Sequence, residues 1–255
     1  MVDTIKSSAH PYELVNPADR RWLALHGEAH CNRIFRGQEA FADYVLVHKN
    51  PEPFPGRDAW QECSILGAIQ GYRWAPELVA CDPSAGIFVY PFYPSVEEGC
   101  ILPRLLLDVL QDLEHIREGP VQAYAGLLAH YRRLLPSTAA VQATLFEFES
   151  LIDWLMCGER CLVHHDLHRA NFRYGGGSEG EPVLRVLDWE YAGLGNPWLD
   201  RSALLTHGLL TVDDLRLLPS LANLSLPTIL DNLAIAHRIR TVLDQLWSWR
   251  QAMFS

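Results

Sequence analysis

The hydrophobic pattern changes period near Pro91 and Pro94, and that change constrains the fold more than any other feature. Before it lie short apolar runs at 31–36, 44–48, 78–81 and 86–90, with Asp82-Pro83-Ser84-Ala85 between the last two. Runs of this length, bounded by Gly, Pro and Asp, read as strands and hairpins. One helix interrupts them. It starts at Asp58, which can cap it, and Gln61 is placed to close a capping box. From Leu102 the apolar residues recur at helical spacing, which predicts helices over roughly 103–117, 120–134 and 139–156, with Pro120 in a first turn. Short strands return between 161 and 189. A last helix runs to about residue 252, with Ile235, Ile239, Val242, Leu243, Leu246 and Trp249 along one stripe. The expected class is α+β, with a small β-rich lobe over 1–93 and a larger, mainly helical lobe over 94–255.

A chain of 255 residues with 49% hydrophobic content can bury a substantial core without staples. Its 31 acidic residues against 21 basic ones give a net charge of −10. That balance argues against a nucleic-acid partner gripped through phosphates and favours a cationic small substrate. Nothing reaches the roughly 18 consecutive apolar residues of a membrane span. The amino terminus lacks an apolar signal segment, so a cytoplasmic protein without a membrane partner is expected. Six scattered cysteines fit reduced thiols. Cys157 and Cys161 form the one close pair. Zinc there would need nearby histidines, and buried free thiols are the other reading.

Chemistry concentrates in Leu162-Val163-His164-His165-Asp166-Leu167-His168-Arg169-Ala170-Asn171-Phe172, which has the spacing His-x-Asp-x-x-x-x-Asn after two apolar residues. A second landmark, Val183 to Glu190, puts Leu184, Val186 and Asp188 on one face of a strand by the two-residue period. The glycine-rich stretch between them can turn the chain back, making Asn171 and Asp188 neighbours at one end of a hairpin. Phosphoryl transfer needs a carboxylate to take the attacking hydroxyl's proton, and hard oxygen ligands for Mg²⁺. Asp166 fits the first role, and Asn171 with Asp188 the second. His168 is placed to reach a phosphate or orient the loop, and His164 to bond the loop backbone. A transition metal held by His164, His165 and His168 is an alternative, as is a plain surface loop.

The stretch from His164 to Asn171, with Asp188-Trp189-Glu190-Tyr191-Ala192-Gly193, Asn196-Pro197 and Asp200, resembles the aminoglycoside phosphotransferase and choline kinase superfamily, relatives of protein kinases. It is especially similar to the choline, ethanolamine and thiamine kinase branch. The resemblance implies a two-lobed protein-kinase-like fold, ATP and Mg²⁺ as cofactors, and the hydroxyl of a small molecule as acceptor. It further implies that Lys49, in Leu46-Val47-His48-Lys49, binds ATP phosphates. Glu62 would support it, since Glu62, Ile65, Leu66 and Ile69 share one helix face and a buried glutamate needs a cation. Gly27 to Asn32 is similar to the family's phosphate-covering turn, and Tyr90-Pro91-Phe92-Tyr93 to the hinge that meets adenine. The chain departs from the family pattern at His165, where a small residue is usual, at Arg169-Ala170, and at Pro94-Ser95.

For the acceptor, Glu190 and Asp200 are the expected substrate-facing acids, and by the resemblance Asp200 also matches an acid that steadies the catalytic region. A surface salt bridge and a helix cap, respectively, are the structural alternatives. Trp189, Trp198, Trp247 and Trp249 could cage an ammonium group or belong to the core. A cationic amino alcohol such as choline, ethanolamine or thiamine is the expected acceptor. The alternatives are an aminoglycoside or sugar kinase, or a catalytically silent nucleotide-binding module.

Overall fold

The computed structural model describes residues 14–25, 32–50, 58–96, 101–176 and 182–253. Five short strands form one antiparallel sheet: β1 (Trp22–Ala24), β2 (Asn32–Gly37), β3 (Tyr44–Lys49), β4 (Ala80–Asp82) and β5 (Ile87–Pro91), in the order β1-β2-β3-β5-β4. Helix α1 (Ala59–Ile69) lies between β3 and β4 in the chain. Alternation along the strands serves two cores. Leu46, Ile87 and Val89 pack with Leu14, Trp22 and Phe41 in a small cluster of their own. Phe88, one residue out of phase, joins Ile65, Leu66 and Ile69 of α1.

The helical lobe comprises α2 (Pro103–His115), α3 (Tyr124–Leu134), α4 (Ala139–Met156), α5 (Trp198–Thr206), α6 (Val212–Leu215) and α7 (Leu226–Ala252). Two small ribbons are set among them. One pairs β6 (Cys161–Val163) with β9 (Gly193–Gly195), and the other pairs β7 (Phe172–Gly176) with β8 (Pro182–Val186). The cluster that starts at α1 and Phe88 continues through Leu106 and Leu110 of α2, Phe172, Val186 and Trp189. The sheet and the helices therefore share one core, and the hairpin β7–β8 sits at its centre. A second cluster joins α3, α4 and α7 beneath β6.

Two local expectations change. Asp58 caps α1 as expected, its carboxylate accepting from the amides of Trp60 and Gln61. The Gln61 side chain does not close a box, because its amide donates to the Ala192 carbonyl of the helical lobe at 2.9 Å. The helix expected from Pro120 begins at Tyr124 instead. Pro120 and Val121 run as extended chain beside β9, where Pro120 accepts from the Leu194 amide at 2.7 Å.

Gly37 closes β2 against the 3-10 turn Glu39–Phe41, and a Cβ there would fall 1.8 Å from the Phe41 carbonyl oxygen. No rotamer relieves a clash with backbone, so Gly37→Ala should cost about 3 kcal/mol of stability. Urea unfolding of the variant measures this, and a loss below about 1 kcal/mol would show that the turn yields.

Candidate active site

The loop after β6 is built by its own backbone. The Asp200 carboxylate at the start of α5 accepts from the amides of His164 (2.7 Å) and His165 (3.0 Å), pinning the chain just before Asp166. His164, fully buried, bonds the Leu187 carbonyl through Nε2 at 2.9 Å, and its Nδ1 accepts from the Asp166 amide at 3.3 Å. The ring also stands edge-on to Trp189, with centroids 4.6 Å apart. His165 takes a left-handed backbone at φ 69°. Its Nδ1 lies 3.0 Å from the Val163 carbonyl, which can only accept, so Nδ1 carries the proton and Nε2 accepts from the Tyr124 hydroxyl at 2.7 Å. The ring nitrogens of His164 and His165 are thus engaged by the protein's own groups, which sets aside the alternative of a three-histidine metal site.

The 3-10 turn Arg169–Asn171 then leads into β7. The Asn171 side-chain amide donates to the Asp166 carbonyl (2.8 Å) and carboxylate (3.2 Å), and His168 Nε2 lies 3.4 Å from the same carboxylate. Burial alone would raise the Asp166 pKa, but the His168 hydrogen bond and charge, with His164 and Asn171, hold it below the usual range. Asp166 therefore stays ionised. On the facing strand the Leu187 amide donates to the Asn171 carbonyl at 2.8 Å, and Asp188 follows in a left-handed turn at φ 64°. The hairpin brings Asn171 and Asp188 to the same end, as the glycine-rich stretch between them suggested.

Lys49 ends β3 at the bottom of the sheet, 8% exposed, with its ammonium among three carboxylates: Glu62 (3.0 Å), Glu190 (3.1 Å) and Asp188 (3.2 Å). Burial would lower the lysine's pKa, yet these acids, Glu62 foremost, push it well up. The acids are less well compensated. Burial raises Glu62 to about 7 against the pull of Lys49, and burial raises Asp188 as well, with Glu190 and Asp166 adding repulsion. One ammonium is too little positive charge for this site. Among the described residues no three His, Cys, Asp or Glu side chains form a ready metal cage. The excess of anionic oxygen suits a hard cation, which the side-chain oxygens of Asn171 and Asp188 would hold.

These groups line one cleft of about 860 Å³ between the sheet and the helices. Ile34, Val45, Val47 and Leu187 give one end apolar walls, beside Tyr90, Pro91, Phe92 and Tyr93, the stretch expected to meet adenine. Phe92 is half exposed under the Arg36 guanidinium, and the Tyr93 hydroxyl accepts from the Glu77 amide. Gly27 lies outside the described residues. Asn32, placed by resemblance at the phosphates, donates to Glu190 at 2.9 Å. Both expected acceptor acids have partners inside the protein. Asp200 is buried with both oxygens on loop amides, and Glu190 is buried with an oxygen on Lys49 and Asn32.

The opposite end of the cleft carries what the sequence left unassigned. Tyr131, Tyr191, Trp247 and Asp244 surround it, with His165 and His168 toward Asp166. Of the four tryptophans considered, Trp247 alone lines the cleft. Trp189 is core, stacked on Trp74 with its indole nitrogen on the Val186 carbonyl, and Trp198 and Trp249 pack against the helical cores. Asp244 is three residues before Trp247 on α7, an acid on the rim of the apolar stripe, which was its one legible signal.

A five-stranded sheet with one helix, seated on a helical lobe whose Asp-x-x-x-x-Asn loop faces a lysine–glutamate pair, defines the protein-kinase-like class. The family model of the phosphotransferase enzyme family matches residues 102–235, more than half the chain, and this chain belongs to that family. Choline kinase LicA from Streptococcus pneumoniae is similar in structure, with TM-score 0.68 and 18% identity over 94% of this chain and 89% of that one. A choline/ethanolamine kinase family protein from Mesorhizobium loti gives 0.65 and 17% over 91% and 80%. The GDP complex of wild-type aminoglycoside 2'-phosphotransferase-IIIa gives 0.56 and 16% over 90% and 92%. At these identities the likeness establishes the fold. A comparison with curated proteins found no match.

Burial, ahead of every other influence, pushes the His165 pKa from 6.5 down to about 4. The unfolded chain gains a proton there below pH 6.5, while the folded chain resists until about pH 4. The stability contributed by the neutral ring is therefore complete above pH 6.5 and is lost as pH falls, by up to about 3 kcal/mol. Urea unfolding across that range should show a shallower pH dependence for His165→Gln than for the parent chain. Equal slopes would contradict the neutral assignment of His165.

Proposed function

We propose that this chain is an ATP-dependent kinase that transfers the γ-phosphoryl group to the hydroxyl of a small cationic amino alcohol such as choline, ethanolamine or thiamine. The observation that carries the reading is the meeting of Asp166, Asn171 and Asp188 on one cleft with a lysine anchored by Glu62. Phosphoryl transfer depends on positioning and charge, and these residues supply both. Lys49 contacts the phosphates. Asp166, ionised and held by His168 and Asn171, accepts the acceptor's proton as its oxygen attacks the γ-phosphorus, the bond to the β–γ bridging oxygen breaks and ADP leaves. Mg²⁺ on Asn171 and Asp188, when bound, offsets charge on the phosphate oxygens. The apolar slot between β3 and Leu187 suits a planar base, and the structure of LicA in complex with AMP shows a nucleotide bound to a protein of this fold.

Asp244 with the rings of Tyr131, Tyr191 and Trp247 supports the cationic acceptor, because aromatic faces and one carboxylate attract an ammonium group. The net charge of −10 acts in the same direction at long range. Described cysteines that are all free, Cys63, Cys81, Cys157 and Cys161, support an address in the reducing, ATP-supplied cytoplasm.

Purified protein with labelled ATP and a panel of choline, ethanolamine, thiamine, aminoglycosides and neutral sugars tests the reading. Transfer to an amino alcohol is expected. Preference for aminoglycosides or sugars would move the enzyme within its family, and nucleotide binding without transfer to any acceptor would mark a silent module. Asp166→Ala should lower kcat by about 10³-fold or more while leaving nucleotide affinity within about threefold. Asp244→Asn should raise KM for the cationic acceptor by about tenfold with little effect on KM for ATP. Unchanged turnover in Asp166→Ala would falsify the assignment of the base.

A further inference from the structure

Glu190 belongs to the helical lobe, in the turn between β8 and β9, yet its side chain, 3% exposed, faces the sheet. Its Oε2 accepts from Asn32 Nδ2 at 2.9 Å and from Lys49 Nζ at 3.1 Å. Asn32 and Lys49 are direct register partners, the first residue of β2 opposite the last residue of β3. One carboxylate oxygen therefore ties the ends of two adjacent strands to the loop that carries Asp188. The backbone on the sheet side completes the tie, since the Asn50 amide reaches Asn32 Oδ1 at 3.4 Å.

Building on the kinase reading above, we propose that Glu190 is a positioning residue: a latch that holds the phosphate end of the sheet closed over the metal-binding loop and sets the aim of Lys49. Glu62 fixes the lysine within the sheet lobe, from α1. Glu190 fixes it from the other lobe, as Asp188 does, and with the same oxygen also holds Asn32, which joins the ends of both strands to that contact. Asp188 is the more open of the two turn acids, at 37% exposure, and remains available to a cation while Glu190 is spent on the two donors. Charge-assisted bonds of this kind are roughly twice as strong as neutral ones, and losing the shared acceptor leaves both donors without it.

The test compares Asn32→Ala, Glu190→Gln, Glu190→Ala and the Asn32→Ala/Glu190→Ala pair in the full chain. Steady-state kinetics against ATP and Mg²⁺ are measured, with ADP-induced shifts in Tm and hydrogen exchange of the 32–37 segment as readouts free of turnover. Glu190→Ala should raise KM for ATP by about tenfold with kcat within about threefold, and Asn32→Ala by about threefold. Because both act through one contact, the double variant should be no worse than Glu190→Ala alone, within about twofold. Glu190→Gln keeps an acceptor oxygen and should fall between, with faster exchange at 32–37 and an unchanged Mg²⁺ requirement. Additive effects of the two single substitutions overturn the latch. So does a raised Mg²⁺ requirement confined to the Glu190 variants, which would make Glu190 a metal ligand. Should Glu190→Ala fail to fold, Glu190→Gln and its double with Asn32→Ala carry the same comparison. A parent chain that neither binds ADP nor transfers phosphate removes the kinase reading and the latch together. An active parent with additive variants removes the latch alone.

Discussion

One buried ammonium among three carboxylates organises this molecule. Lys49 reaches Glu62 from α1, and Asp188 and Glu190 from the turn after β8, so a single nitrogen links three segments far apart in sequence. A buried ion pair seldom adds much stability, because desolvation offsets the attraction, but removing one partner leaves an uncompensated charge. Its value here is geometric. The helix, the sheet and the loop have one arrangement in which these charges meet, and that arrangement forms the cleft. The remaining excess of negative charge, visible in the upward shifts of Glu62 and Asp188, would favour a cation at the same site.

The fold supports this point from below with a shared core. Phe88 and the apolar face of α1 continue into Leu106, Phe172, Val186 and Trp189, so the sheet is seated on the hairpin that carries Asn171 and Asp188. Polar contacts reinforce that seat. Gln61 of α1 reaches the Ala192 carbonyl, Trp74 donates to Asp112, and the Val186 amide donates to the Trp74 carbonyl. The loop bearing Asp166 is held in turn by Asp200 and by His164, both fully within the protein. Rigid parts thus surround the candidate base, while the open end of the cleft is lined by rings and one acid on the long helix α7.

Much of this was readable from residues because local rules and global fold agree. The glycine-rich stretch between the two landmarks returns the chain so that Asp188 comes beside Asn171, but β8 ends at Val186 and Asp188 leaves the two-residue period in a left-handed turn. The i, i+3, i+4, i+7 pattern put Glu62 on a buried face, where only a cation could accompany it, and Lys49 is that cation. The failures share a cause too. Gln61 looked like a capping-box partner, but a side chain at that position can equally serve the other lobe. Pro120 is permitted in a first helical turn but is just as suited to extended chain, and pairing with β9 decided the matter. Asp200 was legible as an acid that steadies the catalytic region only through the family resemblance, and the partners of Glu190 were not legible, since hydrogen bonds across 36 or 158 residues leave no local pattern. Asp244 was hidden for the same reason, on the rim of a helix whose apolar stripe drew the eye.

The central claim is that Lys49, Asn171 and Asp188 together hold a metal–nucleotide complex. A crystal structure grown with Mn²⁺ and a non-hydrolysable ATP analogue tests it most directly. The account predicts an anomalous manganese peak bonded to the Asn171 and Asp188 oxygens and to the analogue's phosphates, with Lys49 Nζ in contact with a phosphate oxygen and the base in the slot beside Leu187. Manganese bound elsewhere, or a nucleotide seated with its phosphates away from Lys49, would contradict it.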